Sequence, residues 1–184
     1  MEHPLKLFKY CPKCGSTNFE EHNFKSKHCI DCGFTYYQNP SSATAAFILN
    51  PKGELLVTRR GKEPAQGTLD LPGGFVDNNE SGEEGIIREI KEETGLDVKE
   101  VNYLFSIPNI YRYSGMDIHT LDMFYVCHVE NDVTIKAADD AADCFHRYLK
   151  ESGEKKERFF NQERRLIHAK GITEAEIQMM LYIL

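Results

Sequence analysis

The chain has 184 residues, of which 41% are hydrophobic and 11% aromatic, enough for one ordinary domain with a buried core and a small attachment. This composition excludes a mainly disordered chain and a scaffold held by disulfides alone. The net charge of −7 argues against broad binding to nucleic acid or to anionic membranes. No membrane span is expected, since uninterrupted apolar runs such as 45–49 are far shorter than a membrane-spanning helix. The absence of a signal-like N-terminus favours a cytoplasmic protein with reduced thiols.

The first forty residues contain two cysteine pairs, each followed directly by glycine. They are Cys11 with Cys14 and Cys29 with Cys32. A gap of two residues lets both thiolates of a pair face one ion, and the doubled spacing is typical of structural zinc sites. Because four thiolates complete a tetrahedral shell, we expect a structural Zn²⁺ that leaves no position open for catalysis.

The segments 18–24 and 34–38 are short and aromatic-rich, so we predict that they form strands of a small zinc ribbon over residues 1–40. A module of this size buries too little apolar surface to fold without its metal. Residues 39–42 are predicted to be a linker. Five lysines against four acids make no basic patch, so we expect a structural or partner-binding module; RNA binding, the alternative, would show steep salt dependence.

Strands are predicted next over 43–49 and 54–58, joined by a turn at 50–53. A helix is then predicted to begin at Ser81, which forms a capping box with Glu84, and to end at Gly95. The later segment 151–184 is predicted to form helices that pack on the domain.

The predicted helix has one apolar stripe with an acidic ridge along its edge. The stripe consists of Ile86, Ile87 and Ile90, and the ridge of Glu89, Glu92 and Glu93. Carboxylates at this spacing repel one another on a bare helix. A solvated acidic face does not account for their position beside the apolar stripe, whereas a hard divalent cation, Mg²⁺ or Mn²⁺, does.

The same segment matches a family pattern at every fixed position. It reads Gly74-x5-Glu80-x7-Arg88-Glu89-Ile90-x-Glu92-Glu93-x-Gly95-Leu96. The chain therefore resembles a Nudix hydrolase over residues 41–150, and the cysteine ribbon ahead of the box resembles that of NADH pyrophosphatases. The resemblance implies an α/β fold, an α/β/α sandwich with a mixed sheet preceded by a small zinc ribbon. It also implies hydrolysis of a nucleoside diphosphate linked to another moiety.

The resemblance further implies roles for individual residues. Glu89, Glu92 and Glu93 would ligate the divalent metal, one of them also acting as general base, and the carbonyl of Gly73 would add a ligand. Arg88 would orient these glutamates through an ion pair, and Glu80 would support the turn into the helix. An acidic loop later in the chain supplies a further candidate metal ligand, with Asp140 preferred and Asp143 as the second choice. A solvated acidic turn without a metal is an equal interpretation of this loop.

Substrate contacts are expected from two arginines and two tyrosines. The likeness extends upstream to Arg59 and Arg60, and Tyr111 and Tyr113 alternate so that a nucleobase can stack on either. Core packing or a homodimer contact is the alternative role for the tyrosines. ADP-ribose-like and NADH-like compounds lead as substrates, with a sugar nucleotide or an oxidised nucleoside triphosphate as other choices.

A regulator that binds a nucleotide sugar without cleaving it is the competing class of function, although such proteins usually carry a damaged box and this one is intact. Six further residues are expected to be buried. They are Phe105, Leu121, Phe124 and Val126 as ordinary core, with Cys127 and Cys144 as inert thiols.

Overall fold

A computed structural model describes residues 2–51, 55–60, 66, 69–130 and 141–145, with backbone alone at 59–60, 69 and 141–145. The chain divides into two compact units. The first comprises Met1–Pro40 with Ile110–His119, and the second comprises Ser41–Asn109 with the described residues from Thr120 onward. The sequence did not predict that the segment Ile110–His119 groups with the cysteine-containing unit.

The first unit contains a three-stranded antiparallel sheet in the order β1-β2-β3. Its strands are β1 (Phe19–Asn23), β2 (Ser26–Cys29) and β3 (Thr35–Tyr37). The two predicted strands are confirmed. The middle strand was missed because its sequence, Ser-Lys-His-Cys, has no apolar alternation, and its pairing with both neighbours creates it.

The second unit contains a mixed six-stranded sheet and one helix among its described residues. In chain order these are β4 (Ser41–Leu49), β5 (Leu55–Arg60), β6 (Leu69–Asp70), α1 (Gly82–Thr94), β7 (Val98–Tyr113), β8 (Met116–Val129) and β9 (Ala141–Phe145). The end of β7 from Ile110 and the start of β8 up to His119 group with the first unit. The strand order is β6-β5-β4-β8-β7, and β9 pairs with β5. The β4 and β8 strands run parallel, whereas the β5 strand is antiparallel to each of its partners. The predicted mixed sheet is confirmed.

The predicted linker is wrong at its last two residues. Ser41 and Ser42 already belong to β4, where they pair with Thr120 and Leu121 of β8. The strand begins early because a parallel partner satisfies its backbone groups from the first residue.

The first half of β4 pairs with the loop 72–76 on the edge away from β8. The amides of Ala46 and Thr44 donate to the carbonyls of Pro72 and Gly74, at 2.9 and 2.8 Å. The amide of Val76 donates in turn to the carbonyl of Ser42 at 3.0 Å. The loop is thereby held in extended form against the sheet immediately before α1 begins.

The predicted ends of α1 are confirmed. The Ser81 hydroxyl accepts from the amide of Glu84, whose carboxylate accepts from the amide of Ser81. At the other end Gly95 adopts φ 74° and donates its amide to the carbonyl of Lys91. These local bonds satisfy the backbone groups that a helix end leaves unpaired.

The buried face of α1 is narrower than predicted. Ile86 and Ile90 are fully buried, but Ile87 is 41% exposed. A helix lying on a sheet covers positions four residues apart, and Ile87 is about 100° away from Ile86 around the helix.

The sheet has an apolar core on each face. On the face toward α1, Ile86 and Ile90 pack with Ala46, Ile48, Leu56, Leu96, Tyr125, Cys127 and Val129. On the opposite face the core consists of Ala45, Phe47, Leu49, Leu55, Val57, Ile107, Phe124 and Val126. Phe105 is partly buried against this second core, its ring stacked on Phe124 at 5.0 Å.

Two predictions about burial have different outcomes. The prediction that Leu121 belongs to the core is wrong, because its side chain is 41% exposed. It lies near the start of β8 on the face toward α1, where no described side chain buries it. Cys127 is buried as expected, and burial raises the pKa of its thiol to about 12, so it is unreactive at neutral pH.

The side chain of Cys144 and the predicted helices over 151–184 lie outside the described residues. Within the described part of the chain, no helix is long and apolar enough to cross a membrane.

Replacing Ser81 with alanine is expected to lower the free energy of unfolding by about 1 kcal/mol, because the amide of Glu84 loses its acceptor. Urea unfolding of the two proteins measures the difference. Ser81→Asp is the matched control, since aspartate caps as well as serine. Equal destabilisation by both replacements would contradict the capping role.

Candidate active site

Two glycines bring the loop 72–76 against the acidic edge of α1. The amide of Gly73 donates to Glu93 Oε2 at 3.2 Å. A Cβ atom on Gly74 would lie 2.5 Å from Glu89 Oε1, and one on Gly73 would lie 2.2 Å from the carbonyl oxygen of Thr44. Gly73 also has φ 149°, which disfavours any other residue. The pair of glycines is therefore required for the loop to fit between β4 and two carboxylates.

Arg88 joins the helix to this loop. Its guanidinium forms two parallel hydrogen bonds to the carboxylate of Glu80, at 2.9 and 3.0 Å, and donates to the carbonyl of Phe75 at 3.0 Å. The same group donates to Glu89 Oε1 at 2.8 Å and to Glu92 Oε2 at 3.2 Å. Bonds to Glu80, and then to Glu89, raise the pKa of Arg88, which stays charged.

Glu80 is the partner of Arg88 on the loop side. Its Oε2 atom also accepts from the amide of Asp77 at 2.9 Å, so one carboxylate closes the turn and receives the guanidinium. The hydrogen bonds from Arg88 and then from the Asp77 amide hold the pKa of Glu80 below its ordinary value.

The three glutamates of the ridge have different surroundings. Glu89 and Glu93 lie against the glycines, whereas the side chain of Glu92 is 60% exposed and contacts Arg88. Their carboxylates are not gathered into one coordination shell; within the described part of the chain, the four cysteines alone form such a group. Carboxylate oxygens beside two glycines are nevertheless chemically suited to a hard divalent cation, because such a cation takes carboxylate and main-chain oxygens.

The four cysteines are brought together as the spacing predicts. Their sulfur atoms all lie within 4.8 Å of one another, with Cys11 3.7 Å from Cys32 and Cys14 3.6 Å from Cys29. The two pairs adopt the same turn. In each, the glycine after the second cysteine has positive φ, 77° and 70°, and donates its amide to the carbonyl of the first cysteine. This arrangement fits a tetrahedral metal ion with thiolate ligands.

The predicted substrate-binding residues are described only in part. Tyr111 and Tyr113 lie in the segment that groups with the first unit. Their rings are stacked, with 6.2 Å between the ring centroids and an interplanar angle of 15°, and the side chain of Tyr113 is exposed. Arg59 and Arg60 end β5, where Arg59 is paired with Leu69 and Asp143, but their side chains lie outside the described residues. Asp140 lies outside them as well.

A buried polar group on the sheet face away from α1 was not predicted from the sequence. Asp122 is 9% exposed, and its carboxylate accepts from Asn109 and Thr120. A signal was present, because Thr120 and Asp122 occupy the inward positions of a strand whose next inward residues are Phe124 and Val126. Two polar residues at buried positions of an alternating strand should have been singled out.

Comparison with known proteins gives a family match and similar sequences. A family model described as a NUDIX domain matches residues 39–169. The chain is 29% identical over 114 residues to "NAD-capped RNA hydrolase NudC" of Vibrio atlanticus (strain LGP32), covering 62% of this chain and 42% of that one. It is 33% identical over 114 residues to "ADP-ribose pyrophosphatase" of Methanocaldococcus jannaschii, covering 60% and 63%. The matched region is thus less than half of the NudC relative.

Solved structures show the same fold. The MutT/nudix family protein from Enterococcus faecalis superimposes with a TM-score of 0.56 at 26% identity, covering 67% of this chain and 49% of that one. The NUDIX hydrolase from Nitrosomonas europaea has a TM-score of 0.58 at 20% identity, covering 85% and 92%. The second likeness extends over almost all of the neighbour, and at this identity it concerns the fold.

Replacing Glu80 with glutamine is expected to lower stability near neutral pH and to flatten the loss of stability in acid. The pKa of Glu80 in the folded protein lies below its ordinary value of 4.5. As the pH falls below 4.5, Glu80 therefore takes up a proton in the unfolded chain before it does so in the folded chain, which favours unfolding. The contribution is complete above this pH and is lost as the pH falls through the folded pKa. Urea unfolding between about pH 3 and about pH 7 measures it.

The control for this prediction is Glu130→Gln, which removes an exposed partner of Lys99 and should leave the acid dependence almost unchanged. An acid dependence of Glu80→Gln equal to that of the unaltered protein would show that Glu80 is not the group responsible.

Proposed function

The chain belongs to the Nudix family, and we propose that it is a metal-dependent pyrophosphohydrolase that cleaves a nucleoside diphosphate linked to another moiety. The observation that carries the proposal is the network of Arg88. One guanidinium holds Glu80, Glu89, Glu92 and the carbonyl of Phe75, so three acidic residues of the family box are joined to one another and to the loop.

The proposed divalent metal site consists of Glu89, Glu92, Glu93 and the carbonyl of Gly73, which would hold Mg²⁺ or Mn²⁺. Asp140 is proposed as a further ligand. When bound, such an ion neutralises pyrophosphate oxygens and makes water acidic enough to attack phosphorus. Support comes from the amide of Gly73, which already contacts Glu93, and from Gly74, which leaves room for Glu89.

The chain's own residues would do the remaining work through position and charge. Arg88 holds Glu89 at a fixed distance from the loop, and its positive charge reduces the repulsion among the carboxylates. One of the ridge glutamates would accept the proton of the attacking water. With one guanidinium bonded to both Glu89 and Glu92, neither of these can turn away without breaking an ion pair.

ADP-ribose and NADH-like compounds are the proposed substrates. Two similar proteins bear names that refer to ADP-ribose and to NAD, both of which contain an adenosine diphosphate group. Arg59, Arg60, Tyr111 and Tyr113 are proposed to bind the substrate. The stacked, partly exposed rings of the two tyrosines are suited to contact a flat group.

The four-cysteine group is proposed to bind a structural Zn²⁺. The repeated turn places all four sulfurs around one point, and among the described residues of the first unit just four apolar side chains are buried, two of them cysteines: Leu5, Cys11, Phe19 and Cys29. A metal ion is therefore the main source of stability available to the ribbon.

The activity is tested by incubating the protein with Mg²⁺ and ADP-ribose, NADH, a sugar nucleotide and an oxidised nucleoside triphosphate, followed by chromatography. Release of AMP from ADP-ribose or NADH is the expected result. Binding of these compounds without any product, in Mg²⁺ and in Mn²⁺, would contradict the proposal and favour a ligand-sensing protein.

Replacing Glu93 with glutamine should lower turnover by about 100-fold, because one negative ligand is lost while the side chain keeps its size. Glu83→Gln is the matched control, since Glu83 is an exposed residue on the same helix, and it should retain turnover. Steady-state rates of AMP release measure both. An unchanged rate for Glu93→Gln would contradict the assigned metal site.

Replacing Cys29 with serine should remove bound zinc and destabilise the ribbon, because three thiolates and a hydroxyl bind zinc less tightly than four thiolates. Metal analysis by mass spectrometry and thermal unfolding measure these effects. Cys127→Ala is the control and should keep its zinc, since this thiol lies in the sheet core. Zinc-free protein after purification in zinc-containing medium would contradict the proposal.

A further inference from the structure

Asp122 is a buried carboxylate to which the proposed chemistry assigns no role. Its Oδ2 atom accepts from the side-chain amide of Asn109 at 2.8 Å, and its Oδ1 atom accepts from the hydroxyl of Thr120 at 2.6 Å. Both partners are neutral, and among the described side chains no cation pairs with Asp122. Each oxygen can accept a second hydrogen bond, and a buried charge without a cation is costly. The two hydrogen bonds therefore fix the orientation of the Asp122 carboxylate and leave it able to accept a further hydrogen bond from a ligand.

Strand register places Asp122 near Phe75. Ala43 is paired with Asp122 across β4 and β8, and with Phe75 across the bridge to the loop. Residues paired in this way project from the same face of the sheet, here the face that carries Ala45 and Phe124 rather than the one that carries α1. Two strand spacings of about 4.8 Å separate Phe75 from Asp122 by about 10 Å. Ala43, whose side chain is a single methyl group, is paired with both of them.

The three residues belong to one patch of this sheet face that combines an aromatic ring with a hydrogen-bond acceptor. Phe75 is 46% exposed and offers an aromatic ring, Ala43 leaves space, and Asp122 offers a hydrogen-bond acceptor. A nucleobase needs these features, since its faces are apolar and its edge is polar.

This place adjoins the proposed metal site along the chain. Phe75 directly follows Gly74, and its carbonyl accepts from Arg88, which also holds Glu89. One loop therefore presents its glycines to the glutamates of α1 and its phenylalanine to the opposite face of the sheet. We therefore take one ligand to place its phosphates at the glutamates and its base on the opposite face, beside Phe75.

We propose that Asp122 is a specificity-determining residue that accepts a hydrogen bond from the exocyclic amino group of adenine. The inference rests on the proposed function, because it names the base of the nucleotide bound at that site. A carboxylate only accepts, so it favours a base with an amino group at this edge and disfavours one with a carbonyl oxygen there. Sites that hydrogen-bond a ligand group discriminate strongly against the analogue that lacks it.

The test is equilibrium binding of AMP and IMP, measured by calorimetry with Mg²⁺ present, so that no turnover is needed. The protein should bind AMP at least about tenfold more tightly than IMP. In Asp122→Asn the ratio should fall to about one or below, because the amide can donate to the carbonyl oxygen of hypoxanthine. Thr120→Val, which removes one bond that orients the carboxylate, should lower the ratio less.

The matched control is Asp117→Asn, which alters an exposed aspartate on the same strand that pairs with Arg112, and it should keep the ratio. Circular dichroism confirms that each variant is folded. If Asp122→Asn does not fold, Thr120→Val supplies the comparison. A general loss of stability lowers the affinity for both nucleotides, whereas the proposed role changes their ratio.

An unchanged ratio in folded Asp122→Asn, equal affinity of the unaltered protein for AMP and IMP, or no binding of either nucleotide would overturn the inference. Hydrolysis of ADP-ribose is measured in parallel. Selective binding of AMP that depends on Asp122, without hydrolysis, would support the inference and contradict the proposed activity. Hydrolysis of ADP-ribose together with an AMP-to-IMP affinity ratio that does not depend on Asp122 would support the proposed activity and contradict the inference.

Discussion

The ion pair between Arg88 and Glu80 is the interaction on which the rest of the site depends. It joins the second turn of α1 to the loop before the helix, and the same guanidinium sets the positions of Glu89, Glu92 and the carbonyl of Phe75. Both partners are largely shielded from water, with 26% and 14% of their side chains exposed. Removing either one would leave the other charge poorly solvated, which costs more than an exposed ion pair contributes.

The division of β4 explains why this loop is in the right place. The end of the strand pairs with β5, through Ile48 and Leu49, so its first half has a free edge that the loop 72–76 occupies. The helix lies on one face of the sheet through Ile86 and Ile90. Glycines at 73 and 74 then allow backbone and carboxylates to approach within hydrogen-bonding distance. The geometry of the candidate site is therefore set by backbone pairing between β4 and the loop 72–76.

The cysteine-containing unit follows a different physical logic. Two identical turns of five residues present four sulfurs, and the apolar core around them is small. Lys27 is buried there with its ammonium group on the carbonyl of Phe8 and over the ring of Phe19. Apolar burial in this unit is small, in contrast to the two extensive cores of the sheet, so coordination of the proposed metal would be a large part of its stability.

Features that depend on neighbouring residues could be predicted from the sequence alone. The ends of α1, the repeated cysteine turns and the position of three glutamates along one edge of the helix follow from contacts over three or four residues. The spacing also indicated that Glu89 and Glu93 share a side of the helix.

Only the tertiary structure decided which groups those side chains meet. That Glu93 contacts Gly73, that Ile87 and Leu121 are exposed, and that β4 begins at Ser41 all depend on pairing between distant segments. Asp122 is the clearest case, since its neighbours Asn109 and Ala43 come from two other strands. Periodicity predicts whether a residue faces inward, but strand order and register determine what it faces.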